Sequence, residues 1–309
     1  MSNTKCDGDD VEALAIADYM LHDFGFRGST SAESAGIGGM GQLVNFYGSD
    51  NIRALDFAEV YYNEPMAAYS VFAAEHSTIT SWGREREGDA YENIIDLFPE
   101  GIISIVSDSY DLENARRHIF GERLRGKILT RNGKLMIRPD TGYPPEIVVK
   151  VAEILGEKFG FTTNQKGFRV LNSKIGILQG DGIDIDMVPK IYEALKQHGW
   201  AAQNVPLGSG GGILQMVNRD TQKFAVKCSA AQVNNGPWYD VMKDPVTGHG
   251  KKSKPGRLAL VILDDGYHTI PEEEAKKRGL KNELVPVFEN GELLVDQSLS
   301  DIRTHAALK

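Results

Sequence analysis

The sequence predicts an α/β fold, an irregular TIM-like α/β barrel with a smaller α/β domain beside it, on three observations. From about residue 66, short apolar runs alternate with segments of helical period. Nearly every apolar run empties into a loop rich in Gly, Ser, Asp or Arg. Beyond about Ala230 the alternation gives way to turn-rich sequence ending in a hairpin signal. Alternation of this kind is the pattern of βα units, and no fixed-length repeat makes it a solenoid.

The apolar runs Ala67 to Val71, Ile102 to Val106, Leu135 to Ile137, Ile175 to Leu178, Val205 to Leu207 and Phe224 to Val226 read as buried parallel strands. Between them Ile147, Val148, Val151, Ile154, Leu155 and Phe159 follow the spacing of a helix with one apolar face. A second helix is predicted over Asp184 to Gln197, with Asp184 or Asp186 as its N-cap. Later, a Lys-rich stretch at Lys251, Lys252 and Lys254 precedes a strand at Leu258 to Leu263. Val287 to Glu289 and Leu293 to Val295 then flank Asn290-Gly291, a favoured two-residue hairpin turn. The expected division is residues 1–18 as a leader or remnant of the small domain, 19–230 as the barrel, and 231–309 as the C-terminal part of the small domain.

A closed barrel and an open doubly wound sheet both place ligands at the C-terminal ends of parallel strands. The open sheet concentrates its site at one switch point, whereas a barrel brings every loop to one mouth. AAEHS (73–77), SDSYD (107–111), RPDTG (138–142), QGDG (179–182) and GSGGG (208–212) spread chemistry over many strand ends, which favours the barrel.

Composition bounds the function. With 309 residues, 41% hydrophobic and 25% charged, the chain can bury a sizeable core. A formal net charge of -9 argues against nucleic acid or an anionic membrane surface as partner, so an anionic ligand needs a local site. Cys6 and Cys228 have neither metal-site spacing nor the number for a disulfide framework, which suits a reducing cytoplasm. The opening MSNTKCDGDD is not a signal peptide, and no apolar run reaches membrane-spanning length.

GSGGG precedes Ile213, Leu214 and Val217, so it reads as a glycine loop opening a short helix, where backbone amides can hold a phosphate, although such loops also serve as plain tight turns. QGDG repeats the idea one strand earlier, and Asp181 offers its carboxylate to a sugar hydroxyl or a metal-bound water. Asp108, Asp111, Asp140 and Asp181 all fall in strand-end loops and suit Mg2+ bridging substrate phosphates, though each alone could be a helix cap. Arg27, Arg138 and Arg219 supply planar donors, with Arg138 favoured because it ends an apolar strand. His76, directly after the first of the apolar runs, could act as base or accept a phosphoryl group, and Phe24 offers a stacking face. The implied ligand carries phosphate, a ribose-like polyol and an aromatic ring.

LHDFGFRG (21–28), AGIGG (35–39), AAEHSTITSWG (73–83), SDSYD, IRPDTG (137–142), QGDGIDI (179–185) and GSGGG resemble the nicotinamide phosphoribosyltransferases, type II phosphoribosyltransferases, in order and approximate spacing. The similarity runs from about Asp18 to Arg303, through KDPVTG (243–248). The resemblance implies a pentosyl transfer in NAD biosynthesis: the nicotinamide ring nitrogen attacks the anomeric carbon of phosphoribosyl pyrophosphate, giving nicotinamide mononucleotide and pyrophosphate. By motif, Phe24 stacks on the pyridine, Asp50 accepts from the carboxamide and disfavours nicotinate, and Arg138 donates to the carboxamide oxygen. Arg27, Ser107, Gly180, Asp181, Gly210, Gly211, Arg219 and Lys227 bind substrate, with Asp111 and Asp140 near the ribose and Mg2+. His76 takes a phosphoryl group from ATP.

Two departures stand out. The family carries a long region ahead of the LHDFG-like segment, where this chain has about twenty residues, and Phe72 stands where the pattern has proline. The expectation is therefore an active enzyme, as a homodimer or with a separate N-terminal half chain, against a non-catalytic phosphoribosyl-ligand module. The joint presence of His76, Asp50, Arg138, Asp140 and Asp181 favours catalysis.

Overall fold

The computed structural model describes residues 16–307 except 215, 217, 223–224 and 247–251, with 221 and 222 described by backbone alone. Most of the expected leader, Cys6, Phe224, Lys251 and the end of KDPVTG lie outside the described residues. The chain forms two compact units, one of residues up to Val217 together with those from Gln297 onward, the other Asn218–Asp296. The unit boundary thus falls ahead of the compositional change near Ala230, and the C-terminal segment returns to the first unit.

In the first unit, β1 (Leu21–Asp23) lies between β2 (Gly48–Ser49) and β9 (Leu207–Ser209), all parallel. A second parallel sheet runs β3 (Phe72–Ala73), β4 (Glu100–Val106), β5 (Asn132–Arg138) and β8 (Ile175–Ile177). Single parallel bridges, Gly48 with Tyr69 and Gln179 with Leu207, extend the pairing beyond these strands. The α/β class and the parallel pairing agree with the sequence reading.

The longest pair shows why these runs are strands. Ile103 opposes Leu135 and Ile105 opposes Ile137, all fully buried, while Ser104, Met136 and Arg138 on the alternate face are buried too. Strands buried on both faces need continuous apolar sequence, as here. Helix α1 (Ala32–Leu43) follows β1, α2 (Ile52–Tyr62) follows β2, and α3 (His76–Thr80) and α4 (Glu87–Leu97) follow β3. Helix α5 (Pro144–Phe159) brings Val148, Val151, Ala152 and Leu155 into the core with Ile103, Leu135 and Trp200. Helix α6 runs Met187–Gln197, and Asp184 is its cap: Oδ1 accepts from Met187 N at 2.7 Å, whereas Asp186 makes no side-chain cap.

Some expected boundaries move for identifiable reasons. Ala67 to Val71 provides only the bridge at Tyr69, because ladder pairing with β4 begins at Phe72. The Val205 to Leu207 run becomes Leu207–Ser209, since Val205 N closes a 3-10 turn on Ala202 O and Pro206 has no N–H for a ladder. Ala225 and Val226 are not strand residues, and Val226 is exposed. The short β1 and β2, the antiparallel pair β6 (Phe161–Thr163) and β7 (Arg169–Leu171), and a π-helical stretch at Ala115–Arg123 had no sequence signal.

The second unit pairs β10 (Ala230–Ala231) with β11 (Tyr239–Asp240) and β12 (Leu258–Leu263) with β13 (Gly266–Pro271), over a small core of Ala259, Val261 and Ala275 from helix α8 (Glu272–Lys277). Strands β14 (Phe288–Glu289) and β15 (Glu292–Leu293) flank Asn290 and Gly291 at φ 51° and 93°, as a type I′ turn requires. Helix α9 (Leu299–Ala306) belongs to the first unit: Arg303 donates to Leu43 O at 2.8 Å and Ala67 O at 2.7 Å. Among the described residues no helix is long and apolar enough to cross a membrane.

Candidate active site

The C-terminal ends of β1, β2, β3, β5, β8 and β9 open into one cavity of about 850 Å³ in the first unit. Its walls include Phe24, Arg27, Asp50, Glu75, Arg138, Asp140, Gly180, Asp181, Asp184, Gly210 and Gly211.

Phe24 leaves β1 with its N–H bonded to Ser209 O at 2.7 Å, and its ring settles on glycine backbone. A Cβ at Gly208 would lie 1.9 Å from Phe24 Cε2, and one at Gly180 would lie 3.3 Å from the same atom. Only glycine at 208 leaves room for that ring. Asp50 follows β2, its N–H bonded to Asp23 O at 2.9 Å. Ser70 Oγ donates to Asp50 Oδ1, and His22 Nε2 lies 3.3 Å from the same oxygen, close enough for charge attraction but not aligned as a hydrogen bond. Burial pushes the Asp50 carboxyl up, yet His22, Ser70 and the Arg138 charge together outweigh it and hold the group below the ordinary carboxylate range.

Arg138 ends β5 only 7% exposed, its Nε without a hydrogen-bond partner and 4.0 Å from Asp140 Oδ1. A buried guanidinium with an open donor at a cavity wall is prepared for an acceptor from a ligand. Burial raises the Asp140 carboxyl, and repulsion from Asp108 and Asp181 adds to this against the attraction of Arg138 and His76. The two glycine loops line the cavity as well. Gln179 Nε2 donates to Asp181 O at 2.9 Å, Gly182 takes φ 68°, and helix α7 (Gly211–Leu214) begins where a Cβ at Gly212 would meet Ile183 O at 2.9 Å.

His76 opens α3 just beyond the lining residue Glu75, its Nε2 3.0 Å from Asp108 Oδ1. Ser107 stands behind the wall, with both N–H and Oγ bonded to Arg138 O. Asp111 Oδ1 accepts from Glu113 N and Asn114 N as a helix cap. Arg219 and Lys227 belong to the second unit, where Arg219 pairs with Asp220 at 3.1 Å.

The donor set fits a hard cation shared with a substrate. Asp140 and Asp181 face the cavity and repel each other, while among the described residues no three His, Cys, Asp or Glu side chains form a self-contained metal cluster. That is the usual situation for Mg2+, which takes one or two carboxylates and completes its shell from phosphates and water.

Sequence reasoning named Asp108 as a possible Mg2+ ligand and not as the partner of His76, and it passed over Gly208, His22 and Ser70. Asp108, Gly208 and His22 stood inside quoted motifs and Ser70 stood in none; His22 and Ser70 matter through contact with Asp50 across distant segments, which no motif reveals.

Fold and cavity define an α/β protein with a cavity at the ends of its parallel strands, lined by aromatic rings, glycine loops, acidic side chains and arginines. Residues 19–292 match the nicotinate phosphoribosyltransferase (NAPRTase) family, and the chain belongs to that family. It is 47% identical over 294 residues to a nicotinamide phosphoribosyltransferase of Xanthomonas campestris pv. campestris, covering 93% of this chain and 62% of that protein. A nicotinamide phosphoribosyltransferase of Acinetobacter baylyi is 34% identical over 308 residues, covering 93% and 60%. One of Mycoplasma pneumoniae is 35% identical over 253 residues, covering 78% and 53%. The chain thus spans about six tenths of the length of its first two relatives.

Proposed function

We propose that this chain carries the phosphoribosyl-transfer site of a nicotinamide phosphoribosyltransferase acting in NAD biosynthesis. The observation that supports it best is the pairing of Asp50, an acceptor held ionised, with Arg138, a buried donor with an open valence, beside the Phe24 ring. A primary carboxamide needs one acceptor for its N–H and one donor for its oxygen, next to a flat surface for its ring. A carboxylate in the same place would face Asp50 with like charge, which separates nicotinamide from nicotinate. We also read the two parallel sheets as one irregular TIM-like barrel, because the Gly48–Tyr69 and Gln179–Leu207 bridges join their edges in a ring.

In this reading Phe24 stacks on the pyridine, and Arg27, Gly180, Asp181, Gly210 and Gly211 cradle phosphoribosyl pyrophosphate. Ser107 braces Arg138, with Asp111 at the ribose side. The ring nitrogen forms a bond to the anomeric carbon as the carbon–oxygen bond to pyrophosphate breaks, and the leaving group takes the electron pair. The protein's contribution is position and fixed charge. Asp140 with Asp181 or Asp111 would hold Mg2+, which would supply positive charge to offset that of pyrophosphate. His76 accepts the terminal phosphoryl group of ATP at a ring nitrogen, releasing ADP, and Asp108 stabilises the positive ring as it does so.

The protein works in the cytoplasm as a homodimer or with a separate N-terminal half chain. Purified chain with nicotinamide, phosphoribosyl pyrophosphate and Mg2+, assayed for nicotinamide mononucleotide with and without ATP, tests the reading. Product that rises with ATP and falls in His76→Ala supports it. A folded chain that binds phosphoribosyl pyrophosphate but makes no product favours the half-enzyme or binding-module alternative, and a chain that binds neither substrate refutes both.

A further inference from the structure

Asp23 is a fully buried carboxylate with no part in the chemistry above. Its Oδ1 accepts from Gly25 N at 2.7 Å and its Oδ2 from Asn51 Nδ2 at 2.8 Å. Both partners are N–H donors, so both oxygens act as acceptors, the arrangement that suits the ionised form. Burial still raises the group, opposed by those same two hydrogen bonds.

The two bonds reach the residues that directly follow two cavity-lining side chains, Phe24 and Asp50. Gly25 follows Phe24, and Asn51 follows Asp50 and caps α2 through Ala54 N. Asn51 is itself fully buried, with Nδ2 also donating to Ala35 O at 3.0 Å. The Asp23 carbonyl takes the Asp50 N–H at 2.9 Å, so one residue grips the backbone of both ligand-facing segments. AGIGG, unexplained by phosphate binding, makes room for this hub. A Cβ at Gly39 would lie 2.5 Å from Asn51 Nδ2 and 3.0 Å from Asp23 Oδ2.

We infer that Asp23 is a positioning residue for the ring end of the pocket: it sets the spacing between the Phe24 face and the Asp50 carboxylate, and its charge behind Asp50 adds to the exclusion of anionic rings. The inference rests on the proposed ring-binding role of this end of the cavity, though the backbone grip can be tested without it.

Asp23→Asn keeps the shape, removes the charge and turns one acceptor into a donor facing an N–H. Hydrogen exchange of the unliganded full chain is expected to quicken at least about tenfold in the segments around Gly25 and Asp50, with the QGDG loop unchanged. Nicotinamide KM should rise about tenfold, phosphoribosyl pyrophosphate KM should stay within about twofold, and the nicotinamide-over-nicotinate ratio should fall about threefold. Asn51→Ala, which leaves the charge, should raise nicotinamide KM and spare the ratio. It also stands in should Asp23→Asn fail to fold. Unchanged exchange at both segments in either folded variant overturns the inference. So does an equal loss for both substrates. If the parent chain binds neither substrate, the functional reading fails while exchange still decides whether Asp23 holds the two segments.

Discussion

His76 Nε2 lies 3.0 Å from Asp108 Oδ1, and the other oxygen of that carboxylate accepts from Asp140 N at 3.2 Å and from the Thr141 hydroxyl. One buried side chain therefore connects the histidine to the loop that carries Asp140. A carboxylate on one ring nitrogen fixes the tautomer and stabilises the charged ring, leaving the other nitrogen free to react. Asp108→Asn should cut the ATP-stimulated part of turnover about a hundredfold, while the ATP-independent rate changes by no more than about threefold. Initial rates with and without ATP measure this. Equal losses in both would confine Asp108 to bracing the Asp140 loop.

Gly208 is predicted to be as sensitive as any charged residue in the cavity. Gly208→Ala places a carbon 1.9 Å from where Phe24 Cε2 now lies, so the ring must leave its seat. Nicotinamide KM is expected to rise about tenfold or more, since an overpacked site costs about 1–3 kcal/mol. Calorimetric titration with phosphoribosyl pyrophosphate should change by less than about threefold, because Gly210, Gly211 and Gly212, the residues of this loop that line the cavity, lie beyond Gly208. Equal weakening of both ligands would mean that the substitution disturbs the whole mouth.

These two residues show where sequence reading works and where it stops. Long strands such as β4 and β5, and the one-faced helix α5, are written in apolar periodicity over many residues. Much of the cavity wall was legible because Arg138, Asp181 and the glycines sit in short polar strings at strand ends, whereas Asp50, after the two-residue β2, was named only through the family resemblance. Strands of two or three residues, such as β1, β2 and β3, have too few positions for a period, so their place is set by the neighbours they pair with. Pairings such as Ser70 with Asp50 or Asn51 with Asp23 join segments about twenty and twenty-eight residues apart, and one sequence holds no trace of that distance.

Away from the cavity, Arg131 pins the start of β4. It is 5% exposed and donates to Phe98 O, Glu100 O and Gly101 O at 2.6–2.8 Å. Arg131→Met keeps much of the side-chain volume but strands those carbonyls, at a cost of about 3 kcal/mol. Thermal unfolding should fall by about 6–10 °C with both substrate KM values unchanged. A drop in KM or selectivity at intact stability would show that this end of the strands communicates with the site.

Asp140 should trade stability for function. Its carboxyl is raised in the folded state, chiefly by burial. A raised folded value favours the fold below the ordinary carboxyl pKa and loses that contribution as pH rises through the folded value. At neutral pH the ionised group therefore strains the unliganded protein, and Asp140→Asn is expected to raise Tm by about 2 °C at pH 7. That gain should vanish at a pH below 3.8, the ordinary value of an aspartate carboxyl, where both side chains are neutral. The same variant should bind phosphoribosyl pyrophosphate with Mg2+ at least about tenfold more weakly, because the cation loses a charged ligand. Asp50 is shifted the other way and stays ionised to lower pH, so the preference for the amide should persist at pH 5 as affinity for the magnesium–pyrophosphate end declines. Melting curves and titrations across pH 4 to 8 distinguish the two groups, and a Tm for Asp140→Asn below the parent's at pH 7 would show that the carboxylate is structural.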